Sequence, residues 1–283
     1  MLRSGAVPDV WSSARRGAEE FAAGKHIRRW RLPVDKYLRP TKWRNAARRR
    51  IFAATVPRRV ELHPRADTEF VGTAYGGWPV PLQLLNRSSV VYSVGAGGDV
   101  TFDLGLIERT GCEVHSFDPT PEAARHVAAH AHPRLTFHSA AIWTHAGELT
   151  MHHAADPSHM ALSAVNLQQT DRSVVVPCRT IEATRAELGH DRIDLIKLTV
   201  DGGEYDLVPQ LDFARWDTRV LVVALHHNRP AGAALALIAG LRDQGFVPVA
   251  RKSTGYTFVG PGRPTVRRPA SQPRRLPALA RSR

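Results

Sequence analysis

Between residues 90 and 101 the chain reads Val90-Val91-Tyr92-Ser93-Val94-Gly95-Ala96-Gly97-Gly98-Asp99-Val100-Thr101. A β-branched apolar run enters a glycine turn, and helical spacing follows over 101–109. Glycines at such a turn let the backbone approach a neighbouring chain or a ligand and take conformations that a Cβ forbids. The same alternation repeats downstream. Strands are expected at 90–94, 114–117, 135–138, 193–200 and 220–225, with helices at 101–109, 121–130, 180–188, from about 203, and at 231–244. Thr180 caps the helix that follows it, and Gly245 closes the last one. A strand pair is expected at 149–152 and 174–177, joined by a long loop, and a terminal hairpin at 246–249 and 256–259. Strands alternating with helices imply an α/β fold with a mainly parallel sheet covered on both faces.

In such sheets ligands collect beyond the carboxyl ends of the strands. Asp118 ends the second strand, in Phe117-Asp118-Pro119, about 20 residues beyond the glycines, where an acid accepts hydrogen bonds from ribose hydroxyls. An adenosine dinucleotide and S-adenosylmethionine both meet that requirement. The dinucleotide fingerprint needs a further glycine where this chain has Val100, and the methyl donor has no pyrophosphate to cradle, so the looser turn suits it better. A third polar strand end follows at Leu198-Thr199-Val200-Asp201-Gly202-Gly203-Glu204. Its two acids have a structural reading as well, with Asp201 capping the next helix and Glu204 lying near its positive end.

Four segments together resemble the FkbM-type methyltransferases, a group of class I S-adenosylmethionine enzymes. They are Ser93 to Thr101, Phe117-Asp118-Pro119-Thr120-Pro121, Leu195 to Glu204, and Val223-Ala224-Leu225-His226, in the family's order and within residues 70–260. The resemblance implies a Rossmann-like class I methyltransferase sheet, mostly parallel with a terminal antiparallel hairpin. It also implies S-adenosyl-L-methionine as cofactor and O-methylation of a hydroxyl on a sugar, glycolipid or secondary metabolite. Cofactor contacts are expected from Gly95, Ala96, Gly97, Asp99, Thr101, Asp118, Ala141, Thr199 and Glu204. His226, and after it Asp201, are the expected proton acceptors; His226 at a strand end can face the cleft with a neutral ring near pH 7. Tyr75, Trp78, His159 and Ser163 are expected near the acceptor. The chain departs from the family pattern at Ser93, Asp99, Thr199 and Ala224. These positions motivate a second reading, a methyltransferase-fold protein with weakened catalysis and a binding or regulatory role.

The net charge of +13 is unevenly distributed. Residues 1–65 hold 17 Lys/Arg against 5 Asp/Glu, and 261–283 hold seven Arg and no acid, which leaves the body of the chain mildly acidic. A basic groove across a catalytic body is therefore not expected, nor is a nucleic-acid partner. The basic ends fit contact with an anionic membrane surface and fit solubility equally well. The domain reading is a basic helical N-terminal extension at 1–65, a methyltransferase domain at 66–260 and a disordered Arg/Pro-rich tail at 261–283. An amphipathic helix is expected around 41–55. With two cysteines, no apolar run of membrane-spanning length and no signal-peptide order at its start, the chain is expected in the cytoplasm, at most peripheral to a membrane. The histidines, among them His152, His153, His159 and His227, show no metal-ligand spacing, so no metal site is expected.

Overall fold

The computed structural model describes residues 40–156 and 162–261, with the side chains of 40–44 outside that description. The chain divides into two compact units, 1–43 and 44–283, and the first lies almost wholly outside the described residues. So does the expected tail beyond Pro261.

In chain order the elements are α1 (Pro40–Arg59), β1 (Glu69–Val71), β2 (Trp78–Val80), β3 (Val90–Val94), α2 (Thr101–Thr110), β4 (Glu113–Phe117), α3 (Pro121–Ala129), β5 (Leu135–His138), β6 (Ala141–Ile142), β7 (Gly147–His153), β8 (Leu162–Ser163), β9 (Ser173–Arg179), α4 (Ile181–Leu188), β10 (Leu195–Leu198), α5 (Glu204–Leu207), β11 (Val220–Val223), α6 (Ala231–Asp243), β12 (Val247–Lys252) and β13 (Gly255–Val259). Seven strands form the main sheet in the order β12-β13-β11-β10-β3-β4-β5. β3, β4, β5, β10 and β11 run parallel, and β13 enters antiparallel to both β11 and β12. This is the mostly parallel sheet with a terminal antiparallel hairpin expected from the sequence.

Strand periodicity of two sends alternate side chains to opposite faces. Val91, Val114, Leu195, Val220 and Val222 meet Phe102, Leu106 and Ile107 of α2, together with Val71, Trp78 and Val80 of the β1–β2 ribbon. On the other face Tyr92, Val94, Ile196, Leu198, Leu221 and Val223 meet Ile181 of α4 and Ala234, Ile238 and Leu241 of α6. Phe52 and Val56 of α1 enter that same core almost fully buried, so the second half of this basic helix packs as part of the folded body. No helix among the described residues is long and apolar enough to cross a membrane.

Capping follows the sequence where it is local. Thr180 accepts a hydrogen bond from the Ala183 amide, and Thr120 does the same for Ala123 at the start of α3. The strands expected at 149–152 and 174–177 pair as β7 and β9, with Leu149 opposite Val176 and Met151 opposite Val174. With β6 and β8 they make a four-stranded sheet inserted between β5 and β10. The β1–β2 ribbon and the short β6 and β8 are too brief to show a period in sequence.

Candidate active site

A cavity of about 740 Å³ opens at the carboxyl ends of β3, β4, β10 and β11. Its wall includes Gly95 to Asp99, Phe117 to Thr120, Ala141 to Trp143, Thr199 to Asp201, Ala224 and His226. Leu149, Met151 and Leu162 of the inserted sheet close one side, and Tyr75, Trp78 and Lys252 to Gly255 close another.

The glycine turn is held from below. Gly95 has φ 88°, and a Cβ there would fall 2.2 Å from the Thr199 carbonyl oxygen, so no side chain fits. The Gly95 amide donates to Phe117 O (2.8 Å), and the Thr199 hydroxyl donates toward the carbonyls of Val94 and Gly95. Gly97 and Gly98 differ from Gly95, because a Cβ on either would meet nothing within 4 Å. They border the open cavity, and their exposed backbone is available to a ligand.

Asp118 joins this turn to the next loop. One carboxylate oxygen accepts from the Gly97 amide (2.9 Å), and the other accepts from the Thr120 amide (2.9 Å) and hydroxyl (2.6 Å). Each carboxylate oxygen has two acceptor sites, so the oxygen facing Gly97 retains one for a hydroxyl on a ligand.

Several expected cofactor contacts are engaged by the protein itself or lie outside the cavity wall. Asp99 lines the cavity, but its carboxylate is taken up by the protein. It accepts from the Thr101 amide and hydroxyl, from the Gly76 amide and from the Thr73 hydroxyl. Burial alone would raise its pKa, yet these bonds hold it at about 2. Thr101 lies outside the cavity wall, accepting from the Thr73 amide (2.9 Å). Together the two residues strap the segment before β2 onto the start of α2. Glu204 is also absent from the wall. It is fully buried and accepts from the amides of Gly202 (2.9 Å) and His226 (2.5 Å), tying the turn after β10 to the turn after β11. Ser163 is buried beside the site with its hydroxyl oxygen 2.6 Å from Asp201 O, which positions the loop rather than lining it. Tyr75, Trp78, Ala141 and Thr199 do line the cavity, and His159 lies outside the described residues.

The two expected proton acceptors come together. His226 Nε2 is 3.1 Å from Asp201 Oδ1, and His226 Nδ1 is 3.3 Å from Glu204 Oε1, an ionic contact without hydrogen-bond geometry. Burial pushes the His226 pKa down, but the Asp201 and Glu204 carboxylates outweigh it and raise the value to about 10. This corrects the expectation of a neutral His226 ring near pH 7: the ring is an imidazolium there. The structural reading of Asp201 as a helix cap is corrected too, since α5 begins after Gly203 with no side-chain cap. Asp201 has φ 44°, a left-handed conformation that turns its carboxylate toward His226. The Tyr205 hydroxyl donates to His226 O (2.7 Å), so the His226 peptide is held at both ends.

Two lysines in the wall were not singled out from sequence. Lys197 is buried on β10 with Nζ 3.4 Å from Ser93 Oγ and 5.4 Å from the Phe102 ring centre. Burial lowers its pKa, opposed by Asp103, whose own carboxyl is raised by burial. Asp103 of α2 supplies the carboxylate near Lys197. Lys252 donates to the carbonyls of Tyr75 and Gly77 (2.6 Å each), pinning the β1–β2 ribbon to the terminal hairpin. A lysine in a polar turn, Lys252-Ser253-Thr254-Gly255, was the available sequence signal.

The family model of the "Methyltransferase FkbM domain" matches residues 92–248. The human protein described as "Probable methyltransferase-like protein 24" is 27% identical over 129 residues, which cover 46% of this chain and 30% of that protein, so the match spans under a third of the relative's length. Among solved structures, an rRNA methylase from Streptococcus thermophilus aligns at 10% identity and TM-score 0.35, covering 63% of this chain and 90% of its own. The 1,6-didemethyltoxoflavin-N1-methyltransferase of Burkholderia thailandensis, solved with S-adenosylhomocysteine, aligns at 13% identity and TM-score 0.29, covering 91% and 93%.

Proposed function

The chain belongs to the family of methyltransferase FkbM domains, and we propose that it is an O-methyltransferase acting on a hydroxyl of a sugar, glycolipid or secondary metabolite. S-adenosylmethionine is the methyl donor. The residues fit that group: Gly97 and Gly98 border open space at the glycine turn, and Asp118 beside them keeps acceptor capacity for a ribose hydroxyl. Bound there, the cofactor supplies a methyl carbon activated by its sulfonium.

The chain's own residues supply position and a proton acceptor. Fixed alignment lowers such barriers by about 7–11 kcal/mol at the favourable limit. A hydroxyl oxygen becomes strongly acidic as its bond to the methyl carbon forms, so a carboxylate within reach is enough to take its proton. Asp201, on the cavity wall and 41% exposed at its side chain, takes that role. His226 stays protonated between Asp201 and Glu204 and holds the Asp201 carboxylate in place. The observation that carries the reading is this carboxylate–imidazolium pair on the wall of the cavity beyond the glycine turn.

The test is a methyl-transfer assay with labelled S-adenosylmethionine against small-molecule and glycan fractions, paired with calorimetry of cofactor binding. An ether-linked methyl on a hydroxyl supports the proposal. A methyl recovered on nitrogen or carbon overturns it, and absence of cofactor binding favours the binding or regulatory reading.

A further inference from the structure

We propose that Glu113, His115 and His190 form a site for a divalent transition metal, zinc by ligand chemistry, separate from the catalytic cavity. One donor atom from each residue lies within 4.8 Å of the other two. Glu113 opens β4, whereas the cavity residues Phe117 and Asp118 lie at and beyond its other end. None of the three ligands lines the cavity.

The histidines are oriented as metal ligands usually are, with the second ring nitrogen held by a partner. His115 Nδ1 is 3.0 Å from His138 Nε2, and its Nε2 points at Glu113 Oε1, 2.9 Å away. His190 Nδ1 is 2.8 Å from the Tyr92 hydroxyl, which leaves its Nε2 as the free donor. The rings of His115 and His190 meet edge to face with centroids 4.7 Å apart. Glu113, with its side chain 46% exposed, leaves the site open to solvent on one side.

Zinc holds imidazole nitrogen and carboxylate oxygen at about 2.0–2.2 Å, which places tetrahedral ligand atoms about 3.4 Å apart. Reaching that spacing from the present one takes side-chain shifts of about an ångström. The binding form is the neutral His115 tautomer with its proton on Nδ1, donated toward His138 Nε2, so that the metal takes the Nε2 lone pair together with the Glu113 carboxylate and no proton is released. Two nitrogens and one oxygen suit zinc and disfavour magnesium or calcium, which prefer oxygen alone. A fourth position on the exposed side remains for water. Bound there, the metal clips β4 to the loop between α4 and β10.

The test is titration of chelator-treated full-length protein with zinc chloride against a chromophoric competitor, with magnesium chloride in parallel. One equivalent of zinc is expected to bind and raise the thermal midpoint, with no effect of magnesium. His190→Ala and Glu113→Gln should each weaken zinc binding at least roughly tenfold, and Tyr92→Phe by roughly tenfold through the lost orienting hydroxyl. Glu113→Gln and Tyr92→Phe keep the volume of the native side chain and read the site if His190→Ala does not fold. Absence of a one-equivalent event, or zinc affinity unchanged in folded variants, overturns the proposal.

Discussion

His226 and His115 each have a carboxylate within reach of a ring nitrogen, yet their protonation moves in opposite directions. His226 is raised to about 10, while burial, aided by neighbouring His190, lowers His115 despite Glu113. The same ring cluster takes His138 down to about 4, through burial first and His115 second. The difference lies in the partners. Glu204 is fully buried and Asp201 adds a second carboxylate, so the charge around His226 is doubled and poorly screened. Glu113 is half exposed, and water screens it, while the imidazoles of His138 and His190 beside His115 oppose a second proton. One side-chain type thus becomes a fixed cation at the cavity and a neutral donor beneath it.

The comparison breaks most sharply at Asp201. Asp201→Asn should lower kcat by roughly 10²–10⁴-fold with cofactor affinity preserved, measured in steady-state assays once an acceptor is in hand. An unchanged kcat would mean that the proton leaves directly to solvent. Next comes Glu204→Ala, which strips the buried carboxylate from two amides and an imidazolium. A loss on the order of 3 kcal/mol is expected, read from urea unfolding, together with a fall in the His226 pKa that leaves His115 where it was.

The pH dependence separates the two sites by sign. His226 has a raised pKa, so its contribution to stability is full below the unfolded value of about 6.5 and is lost as pH rises toward about 10. His138 has a lowered pKa, so its contribution is full above that unfolded value and is lost as pH falls toward about 4. The two together peak near neutrality, and urea midpoints at acid, neutral and alkaline pH would show it. Ring titrations by NMR that converge on a common value would erase the distinction. Asp118→Ala touches neither histidine and should weaken cofactor binding by about 1–3 kcal/mol in calorimetry, with both titrations unmoved. The smallest effect is expected for Tyr92→Phe, about 1 kcal/mol of stability from the lost bond to His190, seen as a small drop in the urea midpoint.

Much of the fold is legible in the order of residues because its signals are local. The apolar runs of β3, β4, β10 and β11, the cap Thr180 and the turn at Gly95 each need only neighbours within a few positions. The nearness of the glycine turn to Asp118 was legible for the same reason, since both follow the ends of adjacent parallel strands. The partners of Asp99 and Glu204 were not legible, because a motif position gives a residue's place but not its partner. Thr73 and Gly76 lie 26 and 23 residues from Asp99, and the His226 amide lies 22 from Glu204.

The sequence by itself determined the strand–turn–helix alternation, the family and the rim on which the site stands. Only the tertiary structure decided the charge on His226, the burial of Glu204, the place of Lys197 and Lys252 in the wall, and the meeting of His190 with Glu113 and His115. The reason is physical: backbone preference and periodicity act over a few residues, whereas desolvation and ionic contacts depend on what the folded chain brings within a few ångströms, whatever its distance along the sequence.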